Sequence, residues 1–240
     1  MYFLIHYSVS LLCVLSLYVT IGKKGVRAIS TVQYRNVKRK DIPIIEKMVT
    51  DSWQFSKYTN DHTLLHLMAY AFVYYYLSES TFGKVAIMDN RIVGCVFGNC
   101  KKVSSLGQKL YYKPRIVNVG MKMKKYLEGS DVLQISHATN IATQDMLQPY
   151  TSAFEGELLL LVTDERVRGM GIGKALFAKY KEYLASYEMS HFYFITDTLC
   201  NYGFYDYMKC HRIDSRKISF PTRFGNYEEE IFLYECGENN

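Results

Sequence analysis

Apolar residues along this chain recur at two spacings, and each change of spacing marks the end of an element. Thr31 to Val37 reads as a first strand. Lys40-Asp41-Ile42-Pro43 then opens a helix that runs to about Trp53, with Asp41 as the expected N-cap and Pro43 in the tolerant first turn. A second helix is predicted from Asn60 or Asp61 to Leu77. Its Leu64, Leu65, Met68, Ala71, Phe72 and Tyr75 recur every three or four residues and make one apolar face. Phe82 to Met88 and Arg91 to Phe97 are β-rich runs on either side of Asp89-Asn90, a hairpin turn pair.

Residues 101–155 form a mixed insert with helical stretches near Arg115 to Leu127 and Asp131 to Leu147, stopped at Gln148-Pro149-Tyr150. Glu157 to Thr163 (ELLLLVT) is a continuous apolar run, as expected of a buried central strand. A glycine-rich turn follows, then a helix to about Tyr187. Ser190 to Asp197 reads as a strand, Tyr202 to Met208 as a short helix and Ile231 to Cys236 as a last strand. The order β-α-α-β-β-insert-β-α-β-α-β-β predicts an α/β (α+β) domain, a mixed sheet with helices on both faces and a helical insert before the central strand.

Composition narrows the function classes. A hydrophobic fraction of 49% with 22% charged residues fits a globular chain. The net charge of +6 suggests nucleic acid, but seven of the 29 basic residues lie within residues 1–40, which hold no acid. Residues 41–240 therefore carry 22 basic against 23 acidic residues and are neutral, which argues against a phosphate-tracking surface and a nucleic-acid partner. The six cysteines show no paired spacing, so reduced thiols and a cytoplasmic setting are expected. The 22 tyrosines are read chiefly as half-buried rings.

Residues 1–30 stand apart as an apolar leader with a basic flank. Residues 2–21 contain no formal charge over about the length needed to cross a bilayer, and Lys23, Lys24 and Arg27 follow. That polarity would anchor the chain with residues 31–240 in the cytoplasm. The same run also fits a helix buried against the domain or a partner, or a non-native extension from an upstream start codon.

The chemistry-bearing segment runs from Val162 to Leu176. There a buried strand leads into Arg168-Gly169-Met170-Gly171-Ile172-Gly173-Lys174 and on into an amphipathic helix. Glycines let successive backbone N–H groups face one concavity, and a helix start adds partial positive charge, so the turn suits a diphosphate. A P-loop would need glycine at Arg168 and Ser or Thr at Ala175, and the dinucleotide fingerprint fails at Lys174 or Leu176. Arg168-x-x-Gly171-x-Gly173 instead resembles the Arg/Gln-x-x-Gly-x-Gly/Ala signature of the GNAT superfamily of N-acetyltransferases, and the likeness extends over about residues 33–236.

The resemblance implies a mostly antiparallel sheet in which the strand before the turn splays from its neighbour. It further implies that Leu161, Val162 and Thr163 pair with the pantetheine arm of acetyl-CoA, while Arg168, Gly169, Met170, Gly171, Ile172, Gly173 and Lys174 hold its pyrophosphate. Phe204-Tyr205 matches the family's Phe-Tyr pair, which makes Tyr205 the expected general acid for the leaving thiolate. Lys209-Cys210 stands where the family usually has Gly-Phe. Glu157, at the start of the central strand, is the expected base, with water as the alternative and Glu155, His191 and Asp197 in reserve. The implied activity is acetyl transfer to a small-molecule amine bound between the first two helices and the insert, with Tyr111, Tyr112, Tyr126 and His137 as candidate lining. A CoA-binding module without turnover and a protein acetyltransferase are the alternatives. His62 and His66 lie one helical turn apart but lack the glutamate of a zinc motif, so no metal is expected.

Overall fold

The computed structural model describes residues 31–53, 59–127, 131–150, 152–222 and 225–237. The leader expected at residues 1–30 lies outside them. Seven strands form one sheet in the order β1-β2-β3-β4-β5-β7-β6: β1 (Gln33–Asn36), β2 (Phe82–Met88), β3 (Arg91–Cys100), β4 (Gly156–Thr163), β5 (Phe192–Asp197), β6 (His211–Thr222) and β7 (Gly225–Cys236). Every neighbouring pair is antiparallel except β4 with β5. The mixed sheet expected from the element order is present, and it is mostly antiparallel, as the family resemblance implies. Helices α1 (Ile42–Trp53), α2 (His62–Glu79), α3 (Leu106–Leu127) and α4 (Val132–Leu147) precede β4, α5 (Ile172–Ala185) follows it, and α6 (Gly203–Tyr207) follows β5.

Strand parity explains the layering. Phe192 and Phe194 of β5, with Phe232 and Tyr234 of β7, face α5 and α6 and join Leu176, Phe177 and Tyr180 in one core. Leu160 and Val162 of β4 turn the other way, toward α1, α2 and α3. Ile231 and Leu233 of β7 pack under Ala142 and Met146 of α4. Tyr180 joins the layers, since its hydroxyl donates to the Asn99 carbonyl at 2.8 Å and its ring lies over Gly98. A Cβ at Gly98 would sit 2.2 Å from that ring. Gly98→Ala is expected to destabilise the domain by about 1–3 kcal/mol through overpacking, read as a lower midpoint in urea at unchanged slope.

Several elements differ from the sequence expectation. Asp41 does not cap α1. It sits in a 3-10 turn (Arg39–Asp41), buried, and its carboxylate accepts from Lys38 N at 2.7 Å and from both Arg35 guanidinium nitrogens at 2.6 and 2.8 Å. Burial alone would raise its pKa, but those hydrogen bonds outweigh it and hold the group below its ordinary value. On α2 the buried stripe is Leu64, Met68, Ala69, Val73 and Leu77, while Phe72 and Tyr75 are exposed. The helix is apolar on most sides because it lies between the sheet and α3, so spacing alone identifies Leu64 and Met68 but not the rest of the stripe. Helix α3 begins at Leu106 and passes through Pro114. The carbonyl that Pro114 leaves without a donor is that of Leu110, on the exposed side, where water can satisfy it. Strand β6 is charged along its length and carries Pro221, the marks of an edge strand, so its apolar signal is weak.

One buried group in α1 opposes folding. Glu46 is buried with a carboxylate oxygen that has no hydrogen-bond partner, and burial pushes its pKa up to about 7. The folded chain therefore keeps a proton that the unfolded chain releases above about pH 4.5. Between those values the unfolded state binds fewer protons, so stability falls as pH rises. Glu46→Gln should gain about 1–2 kcal/mol at pH 8 and almost nothing near pH 4, measured by thermal unfolding at both.

Candidate active site

The central strand parts from its neighbour where the sequence is richest in leucine. Strands β4 and β5 pair only at Gly156 beside Phe192 and Glu157 beside Tyr193. Beyond Glu157 the β5-facing edge of β4 carries no ladder. Against β3, Phe97 pairs with Leu160 and Gly98 with Leu158, which leaves Leu159 as an extra residue in a β-bulge. The bulge puts both Leu159 and Leu160 on the α1–α3 side and bends β4 away from β5. The result is a V-shaped gap, closed at Glu157 and open toward Thr163 and Asp197.

The glycine turn stands at the open end of β4. Asp164 starts it by accepting from Arg166 N at 2.9 Å, and Arg168 N and Met170 N donate within it to the carbonyls of Glu165 and Val167. Gly169 and Gly171 have φ of 78° and 76°, a left-handed backbone that a Cβ disfavours. The first bond into α5 runs from Ala175 N to the Gly171 carbonyl at 3.0 Å, so the amides of Ile172, Gly173 and Lys174 have no partner within the helix. Within the expected run from Arg168 to Lys174, the amides of Arg168 and Met170 are engaged in the turn, and those of Ile172 to Lys174 form the continuous stretch on offer to an anion. The Lys174 side chain is exposed, and Arg168 reaches solvent while paired with Glu165 at 2.9 Å.

Glu157 lies at the closed end of the gap. Its backbone N–H donates to Asn99 Oδ1 at 3.0 Å, Asn99 Nδ2 stands 3.5 Å from its carboxylate, and the Tyr193 hydroxyl donates to it. Burial raises its pKa, the Tyr193 and Asn99 contacts pull the other way, and Glu79 adds to the rise. Tyr205 is carried by α6 on the opposite face, with its half-buried ring 4.2 Å from that of Phe194. Burial raises the pKa of its phenol well above the ordinary value, and Cys200, Cys210, Asp197 and Tyr76 add to the effect. Tyr76 of α2 lies within electrostatic reach of Glu157, Asp197 and Cys200. Tyr205 in turn lies within reach of Tyr76 and Asp197, so Tyr76 and Asp197 connect it electrostatically to the end of the gap that holds Glu157.

No family model and no curated protein matches the chain. Solved structures do. An agmatine N-acetyltransferase aligns at TM-score 0.51 with 12% identity over 86% of this chain and 99% of its own. An N-acetyltransferase from Staphylococcus aureus Mu50 aligns at 0.50 with 10% identity, over 87% and 99%. SsHAT aligns at 0.57 with 16% identity, over 86% and 98%. The chain has the GNAT acetyltransferase fold.

Set in the GNAT fold, the departure at Lys209-Cys210 has a backbone explanation. Lys209 adopts φ 60°, the left-handed conformation that glycine would take without cost, and Cys210 N still closes α6 by donating to the Tyr205 carbonyl at 3.0 Å. Of the reserve groups, Glu155 is engaged by the Ser190 and His191 amides at 2.8 and 2.9 Å, which lower its pKa, and His191 is held between the Ala153 carbonyl and Glu235. Asp197 accepts from Leu199 N and Cys200 N at 2.7 and 2.9 Å and shares a hydrogen bond with Glu229.

Of the expected acceptor lining, Tyr111 and Tyr112 border a cleft between α1, α2 and α3, and Tyr126 borders another between α2 and α3. In the first cleft Tyr111 is held between the exposed Arg39 and Arg115, at 4.0 and 3.7 Å from its ring centre, and Tyr112 packs on Tyr74. His137 is exposed on α4. Beside Glu157 the structure adds Tyr76, Asn99 and Tyr193. No motif marks them, since Asn99 and Tyr193 are placed by their pairing with Glu157 and Tyr76 by the packing of α2. Among the described residues no group of three or more His, Cys, Asp or Glu is placed to hold a metal ion.

Proposed function

We propose that residues 31–240 form an acyl-CoA-dependent N-acyltransferase that moves an acetyl group from acetyl-CoA to an amine, with the insert covering the acceptor side. The observation that carries this reading is the gap between β4 and β5, bordered by an unpaired strand edge and ended by free amides. The edge at Leu161, Val162 and Thr163 suits the amides of a pantetheine arm. The N–H groups of Ile172 to Lys174, with the nearby cations Arg168 and Lys174, suit a diphosphate. A bound acetyl-CoA would supply the activated acyl group, and the chain would supply position and proton transfer.

Glu157, or water held by it, would take the proton from the attacking amine, and Tyr205 would donate one to the departing sulfur. The raised pKa of Tyr205 keeps its proton in place throughout the neutral range. The carboxylates of Glu157 and of the Asp197–Glu229 pair, together with the ring of Tyr76, suit a cationic acceptor more than an anionic one, which favours an amine. A cytoplasmic location fits the free thiols of Cys95, Cys100, Cys200, Cys210 and Cys236.

Release of free thiol from acetyl-CoA, followed over a panel of amines, polyamines, amino acids and peptides, tests the reading. Acceptor-dependent release is expected, and CoA binding with no release on any acceptor would assign a binding module. The pH profile is a second prediction. Glu157 must lose its proton to act, so kcat/KM should rise with pH through a value above that of an ordinary glutamate, about 4.3. Glu157→Gln should remove that limb and lower kcat/KM by about 10²-fold. An unchanged profile in the variant would leave water as the base.

A further inference from the structure

Helix α3 has two apolar faces, and only one is covered. Tyr112 and Val119 are buried on the side turned toward the body of the protein. On the opposite side Leu106, Leu110, Val117 and Met121 are 60 to 69% exposed. They are separated by four, seven and four residues, which at 3.6 residues per turn aligns them in one stripe along a helix about 30 Å long. They are four of the twelve large apolar side chains that stand exposed among the described residues.

The charge on α3 says what could cover this stripe. The helix contains six Lys and Arg and no Asp or Glu. Lys113 and Lys124 are exposed on the same stripe, between and beyond the apolar residues. A second copy of the chain would bring two such helices together and set like charges against each other. We propose that this face of α3 docks on an anionic membrane surface, with the helix lying in the plane of the interface. Leucine, valine and methionine side chains would enter the boundary of the acyl chains while the lysine stems lie along it and carry their ammonium groups to lipid phosphates. No helix among the described residues is long and apolar enough to cross a membrane, so α3 would lie on the bilayer rather than span it. The ion pair of Lys109 with Glu79, at 2.8 Å, ties α3 to α2, so docking would hold the wall bearing Tyr76 close to the lipid.

Residues 2–21 could retain the chain on vesicles by themselves, so the reporter belongs on α3. The full chain carrying Val117→Trp, with Leu110→Trp as a second reporter, is mixed with vesicles of phosphatidylcholine and phosphatidylserine. Emission is compared with that of the parent chain, whose single tryptophan is Trp53. The added tryptophan should emit at shorter wavelength and be shielded from iodide on the anionic vesicles, and stay as in buffer with phosphatidylcholine alone. Lys113→Glu with Lys124→Glu should weaken the effect at least about tenfold, and added salt should reverse it. Unchanged emission from both reporters on anionic vesicles would overturn the proposal, even if the chain sediments with them. So would a blue shift in buffer alone that grows with protein concentration, which would assign the face to a second copy of the chain.

Discussion

Tyr205→Phe is expected to lower turnover of acetyl-CoA by about 10²- to 10⁴-fold while leaving CoA affinity nearly unchanged. The substitution removes one oxygen and keeps the ring. That ring is the part of Tyr205 that packs, against Phe194 at 4.2 Å and Phe177 at 6.4 Å, so the fold should persist. What is lost is a proton held near the gap by a phenol whose burial keeps it un-ionised. The proposed phosphate contacts come from the turn before α5, on another element, so binding should not follow turnover. Steady-state kinetics with calorimetry on the same preparation separate the two. An undiminished rate would remove Tyr205 from the reaction, and a matching loss of affinity would make its role structural.

The second large effect is expected at the turn. Gly171→Asp should reduce affinity for CoA by about 10²-fold or more. Gly171 has φ 76°, where a Cβ costs on the order of 1–2 kcal/mol. The new carboxylate would also stand at the N-cap of α5, where it could occupy the amides of Ile172 to Lys174 and repel a diphosphate, an interaction of about 4 kcal/mol for charges 4 Å apart near a protein surface. Gly171→Ala carries the backbone cost without the charge and should lose much less. Equal losses in the two variants would mean that the shape of the turn, not its field, holds the ligand.

These effects were readable from the sequence to different degrees. The order of elements, the central ELLLLVT strand and the glycine turn follow from apolar runs and residue types that act locally, and all three are in the fold. What the sequence concealed depends on tertiary pairing. The bulge at Leu159 is invisible in a run of four leucines, because any of them could be the extra residue. Tyr76 and Tyr193 look like ordinary members of an amphipathic helix and an alternating strand, and only the short β4–β5 ladder brings Tyr193, and the packing of α2 brings Tyr76, to Glu157. Only Leu64 and Met68 of the expected α2 stripe are fully buried, because the helix is covered on two sides. Lys209 shows the reverse case, where a residue that departs from the GNAT pattern keeps the glycine-like backbone.

The account rests on the gap beside β4 and the amides that follow it being a seat for a CoA thioester. Calorimetric titration of acetyl-CoA into the purified chain tests this directly. Saturable binding that is weakened by Gly171→Asp and indifferent to Tyr205→Phe is the predicted result. A folded chain that takes up no heat with acetyl-CoA or CoA, and whose thermal midpoint neither ligand moves, would contradict it.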